Sequence, residues 1–212
     1  MSPHGEDNAP IVVVIDDDRN VREAICGLFQ SVGLTTRNFG SVAEFLASDN
    51  RQRIGCIVLD IRLPGTSGLE FLELPQADIP PSVVLISAHV DVQMAVRAMK
   101  AGAVDVFTKP VREQDLLEAV NRALALDKQK RQEAERSALT RNKYETLTER
   151  EREILLLVVA GLLNKQIAAQ VGITEATVKL HRGQAMRKMG ASSVPELLRM
   201  LDLLADRVAA PR

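Results

Sequence analysis

The sequence predicts an α/β doubly wound domain, a five-stranded parallel sheet with helices on both faces, followed by an all-α domain of four short helices. Three observations predict this. Five short apolar runs rich in β-branched residues alternate with helix-patterned segments between Ile11 and Leu126. From Tyr144 onward the strand-like runs cease, and helix patterns open on Thr148, Asn164, Thr174 and Ser193. The charge also splits: residues 1–125 hold 11 Lys+Arg against 17 Asp+Glu, a net of −6, and residues 126–212 hold 16 against 11, a net of +5. An apolar fraction of 46% and a charged fraction of 26% over 212 residues fit two ordinary globular domains and exclude wholesale disorder. The longest apolar run, Ile154 to Leu163, already contains Gly161 and falls short of the roughly 18 residues a membrane span needs. Met1 to Pro10 is polar, with Glu6 and Asp7, and does not read as a secretory signal. Cys26 and Cys56 are too few and too far apart for a disulfide framework or a zinc site. The expectation is a soluble cytoplasmic protein with no membrane partner.

In the first half, Ile11–Ile15 is a continuous apolar run and predicts a strand buried on both faces. Val21, Ile25, Leu28 and Phe29 then form one stripe of a helix ending near Gly33. Leu34–Phe39 predicts a second strand, and Ser41 with Glu44 a capping box that opens the next helix. Ile54–Leu59 is a third buried strand. Ser67 and Glu70 make another capping box before a short helix that must stop by Pro75. Val83–Ile86 is the fourth strand. Asp91 caps a helix to about Ala101, stopped by Gly102. Val104–Phe107 is the fifth strand, and a fifth helix runs from Glu113 to about Leu126.

Leu126 to Lys143 is rich in Lys, Arg, Glu and Gln and lacks Pro and Gly, so the helix is expected to continue into a solvated linker. Its apolar markers, Ala134, Ala138 and Leu139, are too few for a coiled coil. Beyond it, Thr148 and Glu151 form a capping box before Ile154, Leu155, Val158 and Val159, with a stop at Gly161. Asn164 is expected to cap a helix burying Ile167, Ala168 and Val171. Gly172-Ile173 turns, and Thr174 caps a third helix burying Val178, Ala185 and Met189. Ser193 and Glu196 open a fourth through Leu197, Leu198 and Leu201. Helix, glycine-containing turn and helix is the helix-turn-helix layout. Residues 164–190 hold five basic residues against Glu175 alone, a net of +4. With only Tyr144 as an aromatic, this half is poorly equipped to stack on single strands but suited to a duplex. The face opposite the core carries Ala176, Lys179, Leu180 and Gly183, facing a major groove, while Arg182, Gln184 and Arg187 at its margins suit phosphates.

In a parallel sheet, ligands bind outside the carboxyl ends of the strands. The polar residues expected there are Asp16, Asp17 and Asp18 after the first strand, Asp60 after the third, Ser87 after the fourth and Lys109 after the fifth. Clustered carboxylates need a cation to stay ionised together. An all-oxygen, incompletely caged set suits Mg²⁺, which also binds phosphate. A carboxylate can accept a phosphoryl group, with catalysis supplied by positioning and charge. Asp60 stands alone at the end of the central strand and is assigned as acceptor. Asp16 and Asp17 form the metal-side pair, and Asp18 caps the helix that follows.

The pair Asp16-Asp17, the run Leu59-Asp60-Ile61-Arg62-Leu63-Pro64-Gly65 with Gly68, Ser87-Ala88 and Lys109-Pro110 resemble the receiver domain of bacterial two-component response regulators, a flavodoxin-like fold. The resemblance implies that a sensor histidine kinase phosphorylates Asp60. It implies that Asp17 binds magnesium directly, that Asp16 binds it largely through water, and that the Arg62 backbone carbonyl completes the ligands. It further implies that Ser87 and Lys109 contact the phosphoryl group and that the peptide bond before Pro110 is cis. Leu147 to Glu153, Gly161 to Ala168 and Thr177-Val178-Lys179-Leu180-His181-Arg182 are similar to the LuxR-type DNA-binding domain. The whole chain thus resembles the NarL/FixJ class, FixJ-like in Val96 to Ala103. The implied domains are a receiver at 11–125, a linker at 126–143 and a helix-turn-helix domain at 144–207. The residues assigned to DNA are Lys165, Thr177, Lys179, Leu180, Arg182, Gly183, Gln184 and Arg187. The implied partners are the kinase, a double-stranded operator, a second copy of the chain on phosphorylation, and RNA polymerase.

Three positions depart from that pattern. Val106 stands where many receivers carry a switching aromatic, and Phe107 is expected on the opposite face. The stretch from Gly68 to Pro81 is compact. Gly183 replaces a larger side chain in mid-helix, at a cost of about 1 kcal/mol against alanine. Arg62 and His89 flank the site. Two other readings are open to the same residues. An aspartyl phosphatase would use Asp16-Asp17-Asp18 as an Asp-x-Asp nucleophile motif, but the loops are too short for the substrate cap such hydrolases carry. A regulator binding DNA without phosphorylation is disfavoured because every acid, the hydroxyl and the lysine are retained. A non-enzymatic regulator is therefore expected.

Overall fold

The computed structural model describes residues 9–48, 53–74 and 80–205. The chain divides into two compact units, Met1–Arg131 and Gln132–Arg212.

In the first unit, β1 (Ile11–Ile15), α1 (Arg19–Ser31), β2 (Thr35–Phe39), α2 (Val42–Ala47), β3 (Ile54–Asp60), α3 (Gly68–Glu73), β4 (Ser82–Ser87), α4 (Val92–Lys100) and β5 (Asp105–Thr108) alternate, and α5 (Glu113–Glu145) follows, with residues 132–145 of it in the second unit. The five strands pair in parallel in the order β2-β1-β3-β4-β5. The strand order reverses between β1 and β3, and the crevice outside their carboxyl ends is the place for a ligand.

β1, β3 and β4 are buried almost throughout because helices cover both faces. Successive side chains go to opposite faces. Val13, Ile15, Ile57, Leu59 and Leu85 meet Phe45, Leu69, Phe71 and Ala98 on one side. Val12, Val14, Val58, Val84 and Ile86 meet Phe29, Leu116, Val120 and Ala123 on the other. Each buried Val, Leu, Ile or Phe among them contributes roughly 1.5–3 kcal/mol. Val106 joins the first face and Phe107 the second, so the fifth strand's aromatic does point away from the α4 side.

The predicted starts in this unit hold with one revision. Ser67 and Glu70 close a full capping box on α3, and Asp18 and Asp91 cap α1 and α4. At α2, Ser41 accepts from Glu44 N–H, but Glu44 returns to the Gly40 N–H at 2.6 Å rather than to its cap residue. Helix α3 already ends at Glu73; the expected stop, Pro75, lies outside the described residues. Helix α5 runs without a break through the expected linker. Of its three apolar markers only Ala134 is buried, and Leu139 is 62% exposed. Within residues 126–143 the buried positions are Asp127, Ala134, Ser137 and Thr140. Hydroxyls can be buried there because each bonds a main-chain carbonyl: Ser137 that of Leu203, Thr140 that of Arg136.

In the second unit, α6 (Glu149–Val159), α7 (Asn164–Val171), α8 (Glu175–Met189) and α9 (Val194–Ala205) form the helical bundle. Ile154, Val158, Ile167, Ala168 and Val178 make one core cluster. Leu147, Leu155, Ala185, Met189 and Leu197 make another. Gly172 and Gly190 end α7 and α8 in the left-handed region, at φ 69° and 72°. One expectation fails. Asn164 is the first helical residue of α7 rather than its cap; Gln166 Oε1 accepts the Leu163 N–H at 2.8 Å. Helix α9 runs through Leu197, Leu198 and Leu201 as expected; its narrow core stripe buries Leu197 and leaves Leu198 43% exposed.

Glu151, only 3% exposed, joins α6 to α8. It accepts from Lys188 Nζ at 2.6 Å and from the Thr148 N–H at 2.8 Å. The Lys188 hydrogen bond, with help from Thr148, holds its carboxyl below the ordinary value. A carboxylate whose folded-state value is lowered stabilises the fold above the unfolded value, and this is lost as pH falls through the lowered one. Glu151→Gln is expected to cost about 1–3 kcal/mol at neutral pH. It should also flatten the acid limb of Tm against pH, which thermal melts of the full chain check.

Candidate functional site

The carboxyl rim of the sheet gathers the residues expected there. Asp16 follows β1, Asp60 ends β3, Ser87 ends β4 and Lys109 follows β5. Backbone bonds across the rim lock these ends in step: Ile61 N–H to Ile86 O at 2.9 Å, and Lys109 N–H to Ser87 O at 2.7 Å. Lys109 Nζ donates to Asp16 Oδ2 and to Asp60 Oδ2, both at 2.5 Å. Asp16 is fully buried, Asp60 nearly so, and Asp17 exposed. The Lys109–Pro110 peptide bond is cis.

Burial pushes the Asp16 carboxyl above its ordinary value, in spite of the Lys109 hydrogen bond and the Asp18 N–H. Burial alone would lower Lys109, but its bonds to Asp16 and Asp60 outweigh this and hold it above the ordinary value. The ammonium is thus a fixed positive charge between two acids.

Asp16, Asp17 and Asp60 each offer a carboxylate oxygen, all within 4.8 Å of one another. Three hard oxygens, one on an exposed and accessible residue, fit a magnesium ion that keeps several waters. Ser87 Oγ is buried and has no hydrogen-bond partner. A buried hydroxyl left unsatisfied is costly and points to a group not made by the protein.

Other placements refine the expectation. Asp18 caps α1 and takes no part in the acidic triad. The Arg62 N–H donates to Asp60 Oδ1 at 2.8 Å, a contact the sequence reading had not foreseen, while its side chain is exposed. His89 is exposed as well. Gly68 lets α3 begin against the end of β3: a Cβ there would lie 2.6 Å from Asp60 O. Arg22 was missed altogether. Its Nη1 donates to Asp16 O at 2.6 Å and Asp17 O at 3.1 Å. Its spacing from the acidic pair was visible, but the fold-back of its side chain was not.

The second unit presents α8. Lys165, Lys179, Leu180, Gly183 and Arg187 are exposed, and Thr177, Arg182 and Gln184 are half-buried. Leu180 is 56% exposed. Arg182 Nη1 donates to Asn164 Oδ1 at 3.0 Å and so ties α8 to the start of α7. Thr177 bonds Thr174 through both its N–H and its hydroxyl. Lys188, counted in the basic total, is committed to Glu151 and Thr146 inside the unit.

This pairing of an acidic rim with a basic helical reader has close parallels. Residues 12–121 match the response regulator receiver domain, and residues 145–201 match the luxR family of bacterial regulatory proteins. The chain belongs to the response-regulator family. The regulator is 44% identical over 204 residues to the response regulator protein TodT of Pseudomonas putida, covering 96% of this chain and 90% of that protein. It is 46% identical over 196 residues to nodulation protein W of Bradyrhizobium diazoefficiens, covering 92% and 86%. Among solved structures it is similar to the response regulator StyR, with 41% identity, TM-score 0.79 and coverage of 92% and 98%. It is also similar to full-length FixJ from B. japonicum, with 31% identity, TM-score 0.56 and coverage of 94% and 98%. The regulator therefore combines a receiver with a LuxR-type DNA-binding domain, in a family of transcriptional regulators rather than enzymes. No helix among the described residues is long and apolar enough to cross a membrane.

Proposed function

We propose that a sensor histidine kinase phosphorylates Asp60, and that the phosphorylated regulator dimerises and binds a double-stranded operator to control transcription in the cytoplasm. The observation that carries this reading is Lys109 bridging Asp16 and Asp60 beside the unpartnered Ser87 hydroxyl. An Asp60 oxygen attacks the phosphorus of a phosphohistidine; the P–O bond forms as the P–N bond breaks, and the electron pair leaves on the imidazole nitrogen. Asp16, Asp17, Asp60 and the Arg62 carbonyl would hold magnesium, which would supply charge neutralisation at the phosphoryl oxygens. Lys109 then pairs with the added charge, and Ser87 donates its hydroxyl to a phosphoryl oxygen. Both groups exchange their present state for the acyl phosphate, which draws the ends of β4 and β5 toward β3.

The domains are taken as receiver 11–125, linker 126–143 and reader 144–207. An exposed stripe on α4, with Val92 80%, Val96 48% and Met99 50% exposed, supports dimerisation through the face of α4, β5 and α5. A dimer sets two α8 helices on adjacent half-sites, and bivalency raises affinity. The exposed flank of α8 supports Lys179, Leu180 and Gly183 toward the groove, with Thr177 near its start. Lys165, Arg182, Gln184 and Arg187 serve the phosphates and RNA polymerase is the downstream partner.

The decisive measurement is affinity for DNA selected from a random library, with and without a small phosphodonor and magnesium. At least a tenfold gain is expected from bivalency; equal affinity would favour a regulator indifferent to phosphorylation. Lys179→Ala is expected to weaken binding to that DNA by about 1–3 kcal/mol. Fluorescence anisotropy at matched salt checks it, and an unchanged Kd removes Lys179 from the interface.

A further inference from the structure

Arg22 ends the first turn of α1, where a cation is unfavourable because the helix N-terminus already carries partial positive charge. Its neighbours on that turn behave ordinarily: Arg19 pairs with Glu23 at 2.7 Å, both largely exposed. Arg22 instead turns back beneath the acidic rim. One nitrogen, Nη1, serves both the Asp16 and the Asp17 carbonyls, at 2.6 and 3.1 Å, and Nε is buried with no hydrogen-bond partner. A guanidinium held so, against the helix dipole and with a donor unsatisfied, is poorly explained by the stability of α1.

The acidic pair explains it better. Asp16 is held on three sides, through its carbonyl by Arg22, through Oδ1 by the Asp18 N–H at 3.0 Å and through Oδ2 by Lys109. Asp17 is not. Among the described residues no group holds its exposed carboxylate, so its aim toward Asp16 and Asp60 follows from its backbone. Arg22 binds that backbone.

We propose that Arg22 is a positioning residue for the cation site, fixing the main chain of Asp16 and Asp17 so that both carboxylates point into the pocket. The inference rests on the phosphoacceptor reading of this rim. It assigns Arg22 no contact with metal or phosphoryl group; it acts through the two carbonyls.

The test is magnesium binding by the full chain, measured by titration calorimetry with MgCl₂ alone. Arg22→Ala is expected to weaken affinity by about tenfold to a hundredfold, the usual cost of losing an outer partner of a metal site. Arg22→Lys, able to reach one carbonyl, should fall between. Arg19→Ala, on the same turn, should match the wild type. With acetyl phosphate as donor, the magnesium needed for half-maximal labelling should rise by the same factor in Arg22→Ala, and the rate should recover at saturating magnesium. Wild-type magnesium affinity in both Arg22 variants overturns the proposal. So does loss of folding in both, judged by circular dichroism, since Arg22 would then serve the fold rather than the site. The two readings fail separately: a wild-type chain that takes no label on Asp60 sinks the phosphoacceptor assignment. A labelled wild type with unaffected Arg22 variants sinks only this one.

Discussion

Asp60→Asn is expected to fold as the wild type does and to take up no phosphoryl group from acetyl phosphate or from a phosphorylated kinase. The amide keeps the shape of the carboxylate, and its oxygen can still accept the Arg62 N–H that Asp60 Oδ1 accepts at 2.8 Å. Lys109 keeps Asp16 as its charged partner. Relief of the repulsion that Asp60 exerts on the buried Asp16 carboxyl offsets part of the lost ion pair with Lys109. Stability should therefore change by no more than about 1 kcal/mol. What disappears is the nucleophile, since an amide oxygen is too weak a base to attack phosphorus. Radiolabel transfer, or the mass increment of a phosphoryl group, measures it. Labelling of the variant at the wild-type level would move the acceptor to another carboxylate.

Gly68→Ala is expected to cost about 1–3 kcal/mol and to slow phosphorylation. Gly68 is not held in a backbone region closed to other residues; the obstacle is space. A Cβ would meet Asp60 O at 2.6 Å, Ile61 Cα at 3.0 Å and Leu59 Cγ at 3.1 Å. Two of these are main-chain atoms at and just past the end of β3, held to β4 by the Asp60–Ile86 pairing and by the Ile61 N–H bond to Ile86 O, so they resist stepping aside. Helix α3 must back away, stretching the 3.0 Å bond from the Gly68 N–H to Ile61 O and disturbing the Asp60–Arg62 turn. Gly183→Ala is the matched control. Nothing lies within 4 Å of its Cβ position, so alanine should stabilise the helix by about 0.5–1 kcal/mol. Urea denaturation compares the two; a Gly68 variant as stable as the Gly183 one would mean that α3 is free to shift.

The strands were legible because parallel strands buried on both faces need unbroken apolar runs, and Ile11–Ile15 and Ile54–Leu59 are such runs. The rim acids, serine and lysine were legible because a parallel sheet sends every strand end to the same edge. Capping was legible where its partner is three residues away, as at Ser67 and Thr148. It was misjudged at α2, where Glu44 reaches past the cap to Gly40, and at α7, where the cap is Leu163, a residue with no capping side chain, and Gln166 bonds its N–H.

Spacing along the chain settled which segments become strands and helices and which side chains reach the sheet's edge, because those follow from periodicities of two and about 3.6 residues. Packing across long separations settled the rest. It put one ammonium, 93 and 49 positions away in the chain, between two carboxylates, folded Arg22 under the acidic pair and diverted Lys188 from the basic face into the bundle. Those outcomes depend on which charges meet inside a low-dielectric interior, and no repeat in the sequence encodes that meeting.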